Sequence, residues 1–475
     1  MFYISSRKIH SSFVTGTLFL TASSLLCRLI GFAVRIFLSR TVGAESMGIL
    51  QLSFTVFGIG ISVCALGIQS ALSKLAADYA KKQPGQQIFL LRAALILSLS
   101  LALFVGGLLF FYADFIAKTL LQEERCAPLI QMFSFALPFS CIHSCYNGFF
   151  YANSQTKEPA LSLLAEQLTR GIALIIIWLV KLSQSDVITL TDVVFSSILS
   201  EMAASFFVWC SHFQMPKTKK KRLIPYHKLL RELISTASPI CVNRLSQTFV
   251  TALESILIPI CLRQYGLSSS DALSLFGIFT AMAMPFILFP SILTNSMAVL
   301  LLPKVASANT AGEQKKLLSY SRFSILFSLG LGCVCTGFFY LTGPFLGTLF
   351  FHNRDTGLYI QRLSLLCPFL YLGVTAGSIL NGLGKPGTVL IHTLISFVLR
   401  LGGAVLLIPI GGIGGYLLGL LTSSILLCTL HLSSIRKALS KVSSDSDDDS
   451  DEITSEATNH SSDTAAPNAT DNQSV

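Results

Sequence analysis

Apolar residues run along this chain in blocks of about twenty, separated by short polar segments; Ile88 to Phe111 and Phe323 to Leu341 are two such runs. A helix rises about 1.5 Å per residue, so a block of this length covers the roughly 30 Å hydrocarbon layer of a bilayer. The pattern predicts twelve spans, over 12–38, 49–72, 88–112, 127–152, 160–180, 190–212, 233–261, 273–302, 320–342, 360–382, 388–409 and 413–433. The first apolar run carries Arg28 and Arg35 and is too long for a cleavable signal peptide, so it is read as a span. The predicted class is an all-α polytopic membrane protein.

Composition agrees with the pattern. Of 475 residues, 52% are hydrophobic and only 12% charged, with a mean hydropathy of +0.67. A soluble domain carries about twice that charge. The balance excludes a soluble enzyme, a secreted disulfide scaffold and a disordered chain. The net charge of +10 is the sum of a basic body and an acidic end, because nine of the 24 acids lie at or beyond Asp445. With the N-terminus inside, 22 Lys and Arg fall in inside loops and span ends, against 7 outside. The positive-inside rule explains this excess without any nucleic-acid partner, and it places both termini in the cytoplasm.

The most basic segment, Lys217-Thr-Lys-Lys-Lys-Arg222, falls at the middle and divides the spans six and six. The chain is therefore expected to comprise a cytoplasmic N-terminus (1–11), an N-lobe (12–214), a basic cytoplasmic linker (215–232), a C-lobe (233–440) and a disordered acidic tail (441–475). An internal echo supports two lobes: Pro138-Phe139 and Arg170 reappear as Pro368-Phe369 and Arg400, all at an offset of 230 residues. Duplicated helical units are the build of transporters that rock two bundles about a central site. Three glycosylation sequons in the tail, beginning at Asn459, Asn468 and Asn472, lie on the cytoplasmic side and are discounted.

A charge inside a span is costly to keep, so each one is a candidate for function. Arg28 and Arg35 stand two helical turns apart on one face of the first span, with Gly31 between them. Two guanidinium groups on one face suit a diphosphate, which they grip bidentately. The bland alternative is that Arg35 snorkels to the interface and Arg28 pairs with a structural acid. The seventh span holds Asn243, Arg244, Gln247 and Glu254 as a polar stripe. It reads either as a substrate-lining helix with Glu254 carrying a proton or cation, or as an Arg–Glu structural tie. Glu166 and Arg170 read as an ion pair at i,i+4. Arg400 stands in the repeat position of Arg170 without a local glutamate, and Glu201 sits mid-span with no local partner. Pro285 and Pro290 are expected to kink the eighth span and serve as hinges or tolerated bends.

Motifs of soluble enzymes are missing: there is no P-loop, His-Glu-x-x-His or Gly-x-Ser-x-Gly. No cofactor or metal is expected. The 12 cysteines lie almost entirely in apolar runs and read as small packing residues, and His143 as a packed span residue.

Three strings go further. Gly31-Phe-Ala-Val-Arg-Ile-Phe-Leu-Ser-Arg-Thr-Val-Gly-Ala-Glu-Ser-Met-Gly-Ile-Leu-Gln51 resembles the first helix and loop of the stage V sporulation protein B family. Phe276-Gly-Ile-Phe-Thr-Ala-Met-Ala-Met-Pro-Phe-Ile-Leu-Phe-Pro290, continuing through Leu302-Pro303-Lys304, resembles that family's eighth helix, and Asn381-Gly-Leu-Gly-Lys-Pro386 its later loop. The resemblance implies a polysaccharide-biosynthesis protein of the multidrug/oligosaccharidyl-lipid/polysaccharide (MOP) exporter superfamily, related to the lipid II flippases. It implies two six-helix lobes in a V in the bacterial cytoplasmic membrane, moving undecaprenyl-diphosphate-linked saccharide. It also implies that Arg28 and Arg35 meet the diphosphate. Coupling would come from membrane potential, protons or sodium. The protein is expected to work as a monomer among membrane lipids, with cell-wall synthesis partners. The alternatives are a multidrug/cation antiporter of the same fold, a membrane-embedded glycosyltransferase or polymerase, and a scaffold.

Overall fold

A computed structural model describes residues 2–82, 85–213 and 225–462, with side chains for 22–80, 85–213, 225–242 and 244–439. The ordered elements among them are all helical: α1 (Phe2–Ile61), α2 (Gly67–Lys82), α3 (Gln86–Phe111), α4 (Cys126–Ser134), α5 (Leu137–Ala152), α6 (Lys157–Ser183), α7 (Leu190–Phe213), α8 (Tyr226–Gln264), α9 (Ser269–Gly277), α10 (Met284–Leu288), α11 (Ser291–Thr310), α12 (Gln314–Phe351), α13 (Arg354–Leu363), α14 (Cys367–Gly382) and α15 (Pro386–Ser462), joined by short turns. Most of the basic linker lies outside the described residues. So does the expected disordered tail, apart from helical backbone that continues α15 to Ser462.

Ten helices among the described residues are long and apolar enough to cross a membrane, or eleven if the bent pair Glu124–Ser134 and Leu137–Ala152 is one span. The sequence pattern gave twelve, and the difference lies in how spans join. Ala22–Ala80 and Pro386–Leu439 hold 59 and 54 residues, each about twice the length one crossing needs. α1 is two helices meeting at Gly43 (φ 82, ψ 174), and α15 two meeting at Gly412 (φ 57, ψ −147). Glycine alone reaches the Gly43 conformation cheaply, so the polar break that separates two sequence spans is a one-residue kink rather than a loop. Conversely, the predicted eighth span is broken. A π-helical turn at Ile278–Ala283 leads into α10, and the helix ends at Leu288 before Pro290. Proline removes one N–H from the ladder, and its ring clashes with the preceding turn.

The chain forms two compact units. The first takes Met1–Ile292, Gly337–Leu365 and Leu399–Leu421; the second takes Leu293–Thr336, Leu366–Val398 and Thr422–Val475. In the first, α2, α3, α5 and α8 bury Leu72, Ala76, Leu90, Phe150 and Leu233 completely. Small residues bring backbones together where apolar lipid offers helices no reason to associate. Gly148 lies against the backbone of Gln69, and Gly48 of α1 and Gly277 of α9 interlock, each facing the other helix's main chain. A side chain at Gly277 would run into the Ala44 carbonyl, which cannot step aside. Gly277→Val is therefore expected to cost at least about 1–3 kcal/mol, seen as a lower melting temperature in detergent.

In the second unit, Val305 of α11, Ile379 and Leu380 of α14 and Ile435 of α15 make the core. Two hydroxyl contacts add polar glue: Ser328 with Thr375 at 2.5 Å, and Ser378 donating to the Ala298 carbonyl at 2.7 Å. The internal echo extends to local structure. α5 and α14 each span 16 residues, each carries proline in its first turn, and their starts are 230 residues apart. Proline fits there because the first-turn N–H groups have no intrahelical partner.

Candidate functional site

The charged face of α1 is held on two sides. On one side, a side chain at Gly31 would lie 3.2 Å from Gln167 Oε1 of α6, and one at Gly171 of α6 would lie 3.6 Å from Val34. The missing Cβ atoms let α1 and α6 approach closely. On the other side, Phe32 packs edge-on to Phe286 with ring centroids 4.6 Å apart, and at 5.8 Å from Phe289. Those rings stand beside Pro285 and Pro290, so the broken segment buttresses α1 between the two arginines. Arg28 and Arg35 are both exposed, and neither has a hydrogen bond or ion pair among the described residues. Arg35 has Arg170 of α6 as its charged neighbour.

Behind this face, Arg170 pairs with Glu166 at 2.8 Å and reaches Ser200 of α7 at 3.4 Å. The i,i+4 pair predicted from sequence is thus present. Glu201 has a partner that local spacing concealed: Nδ1 of His143, on α5, lies 4.0 Å from its Oε2. His143 is buried, and its Nε2 sits 2.9 Å from the Ser162 hydroxyl. Oε2 of Glu201 accepts no hydrogen bond among the described residues. This pairing joins residues 58 positions apart, a separation no sequence motif marks.

The polar stripe of α8 is divided. Glu254 is buried, with Arg400 of α15 at 2.6 Å and the Tyr416 hydroxyl donating to it at 2.5 Å. Tyr416 is itself fixed edge-on against Phe279, with centroids 5.1 Å apart. The glutamate missing beside Arg400 in the sequence is therefore supplied by α8, and Arg244 takes no part in the tie. Arg244 and Gln247 are exposed on α8. The Asn243 side chain lies outside the described residues. Both repeat-related arginines hold a glutamate, one from its own helix and one from a distant helix.

A further arginine cluster ties helix ends and loops that the charge pattern places outside. Arg40 of α1 donates to the Phe350 and Leu349 carbonyls at 2.6 and 2.5 Å, capping the end of α12. Arg125 bridges Glu123 at 2.6 Å and Glu45 at 2.7 Å, and Arg263 of α8 donates to Oε1 of Gln122 at 2.9 Å. In sequence these are ordinary loop charges; only the packing of the first compact unit brings them together. The sole carboxylate of the first outer loop, Glu45, is thereby engaged. Among the described residues no three His, Cys, Asp or Glu side chains converge to hold a metal ion.

The sequence pattern of the family described as polysaccharide biosynthesis protein matches residues 13–308. Stage V sporulation protein B of Bacillus subtilis (strain 168) is 23% identical over 448 residues, covering 90% of this chain and 84% of that protein. Among solved structures, an inward-facing multidrug resistance MATE family transporter of the MOP superfamily superposes with a TM-score of 0.73 at 16% identity, covering 88% of this chain and 96% of its own. The lipid II flippase MurJ in an inward closed conformation superposes with a TM-score of 0.69 at 14% identity, covering 90% of each chain. The fold is the one these transporters share.

Proposed function

We propose, on the premise that this chain belongs to the polysaccharide biosynthesis protein family, that it is a flippase. Its substrate would be a lipid-linked oligosaccharide of the undecaprenyl-diphosphate type, a peptidoglycan precursor or another polysaccharide unit, carried across the cytoplasmic membrane by alternating access. The observation that carries this reading is the sorting of charge. Among the described residues, Arg28 and Arg35 of α1 and Arg244 of α8 are exposed and make no ion pair, whereas Glu166 and Glu254 are each neutralised by an arginine and Glu201 faces His143. Exposed guanidinium groups attract a diphosphate and repel an organic cation.

In this reading Arg28 and Arg35 hold the two phosphates through paired N–H donors, each charge-assisted contact stabilising the complex by about 1.5–3 kcal/mol. Gln247, exposed on α8, meets sugar hydroxyls. A cationic-drug antiporter would need an exposed carboxylate, and none of these three is exposed. A glycosyltransferase using the first outer loop would need a free carboxylate there, and Glu45 is engaged by Arg125. Coupling by protons fits Glu201 better than Glu254, because Glu201 keeps an oxygen without a hydrogen bond beside a histidine. Glu201→Gln is then expected to leave substrate binding intact and to abolish the response of flipping to an imposed proton gradient.

The deciding experiment follows a fluorescent undecaprenyl-diphosphate sugar in proteoliposomes. Wild-type protein is expected to flip it, and Arg28→Ala to slow flipping at least about tenfold, the lower bound of one lost charge-assisted contact. Efflux of cationic dyes with no flipping, by protein of unchanged melting temperature, would establish the antiporter instead.

A further inference from the structure

The second compact unit carries a groove apart from the arginine face of α1. Four residues of α12 (Leu318, Ser321, Arg322, Ile325) face four of α15 (Leu432, Ile435, Arg436, Leu439) around a volume of about 400 Å³. The two sides repeat one pattern, Leu-x-x-Ser-Arg-x-x-Ile against Leu-x-x-Ile-Arg-x-x-Leu. Each presents aliphatic residues one turn above and one turn below an arginine. The floor is rigid, because Ile435 is part of the unit's core and Ile325 and Leu439 pack on it.

Three polar groups converge on this apolar slot. Arg322 and Arg436 are exposed and have no hydrogen bond or ion pair among the described residues. The Ser321 side chain is almost completely buried, yet its hydroxyl has no hydrogen-bond partner among the described residues. A buried hydroxyl left unpaired costs free energy that a ligand oxygen would recover. Interfacial snorkelling explains one arginine beside a lipid face. It does not explain two at matched positions on facing helices with an orphan hydroxyl beside them. Two forked cations and a hydroxyl donor complement a phosphate monoanion, and the aliphatic walls complement acyl chains. The groove lies at the N-terminal end of α12 and the C-terminal arm of α15, both assigned by the charge pattern to the cytoplasmic side, where anionic lipids attract basic residues.

We propose that this groove binds an anionic glycerophospholipid of the cytoplasmic leaflet, its headgroup phosphate between Arg322 and Arg436 with Ser321 donating, and its chains along Ile325 and Leu432. The proposal does not depend on which lipid the protein transports.

The test reconstitutes the full chain with equal amounts of phosphatidylglycerol and phosphatidylcholine and counts retained lipid by native mass spectrometry. Wild-type protein is expected to retain phosphatidylglycerol selectively. The Arg322→Ala/Arg436→Ala double variant is expected to bind it roughly thirtyfold more weakly, from about 1 kcal/mol for each basic residue. Leu432→Trp, which fills the slot and keeps both charges, is expected to lose it as well, while Arg28→Ala retains it. A melting temperature within the wild-type range is required of each variant, and the conservative Arg322→Lys/Arg436→Lys pair, which keeps the charge, restores part of the selectivity. Equal retention of both lipids by wild type, or unchanged retention by the double variant, would overturn the proposal. So would a groove that takes no phosphatidylglycerol because the acidic tail fills it, displacement by inorganic phosphate alone, or stoichiometric displacement by undecaprenyl diphosphate. Because phosphatidylglycerol carries neither diphosphate nor sugar and the readout needs no transport, this result stands apart from the flipping assay.

Discussion

Alanine at position 254 is expected to destabilise the protein by about 3–5 kcal/mol, the cost of leaving one member of a buried ion pair without its counter-charge. Glu254 holds Arg400 at 2.6 Å and accepts from Tyr416 at 2.5 Å in a buried setting, so its removal takes the counter-charge from the guanidinium and the acceptor from the phenol. The two contacts are unequal. Hydrogen bonds between membrane helices average about 0.6 kcal/mol and reach about 1.7, so Tyr416→Phe is expected to cost about 1 kcal/mol and the ion pair to dominate. Arg400→Ala should match Glu254→Ala, and the double variant should recover part of the loss, since no unpaired charge remains. Chemical denaturation of the solubilised protein measures all four. If Glu254→Gln instead keeps its stability and loses only gradient-driven transport, Glu254 is a coupling carrier rather than a tie.

The second large effect concerns affinity. Replacing both Arg28 and Arg35 by alanine is expected to weaken binding of undecaprenyl diphosphate by at least about a hundredfold, from two charge-assisted contacts at the lower limit of 1.5 kcal/mol each. Among the described residues both side chains are exposed and make no hydrogen bond or ion pair, so the melting temperature should hold. Lysine at both positions keeps the charge and loses the fork, so it should restore affinity only in part. Calorimetry with the lipid in detergent reads the ratio. Full affinity in the double alanine variant would remove the diphosphate from this face of α1, and with it the assignment of substrate class.

The membrane class, the approximate number of crossings and the repeated proline start of α5 and α14 were legible in sequence, because each follows from local pattern: apolar run length and proline position. The Glu166–Arg170 pair was legible for the same reason, lying four residues apart on one helix. The span count differed where a single glycine, Gly43 or Gly412, turns the backbone without a loop, and where Pro290 breaks a continuous apolar run. The broken run still reads as apolar throughout, and hydropathy averages over a window wider than either event.

Partner choice was decided by tertiary structure alone. Glu254 with Arg400, Glu201 with His143 and Arg125 with Glu45 join residues whose helices meet only after the chain has packed. That packing turned the sequence's list of membrane charges into two classes. Glu166, Glu201 and Glu254 each face a cationic or titratable partner, and the arginines on α1 and at the groove of α12 and α15 are exposed. Sequence shows that a charge lies inside a span and is therefore costly; it does not show what satisfies it, because the satisfying group is distant along the chain and near only in space.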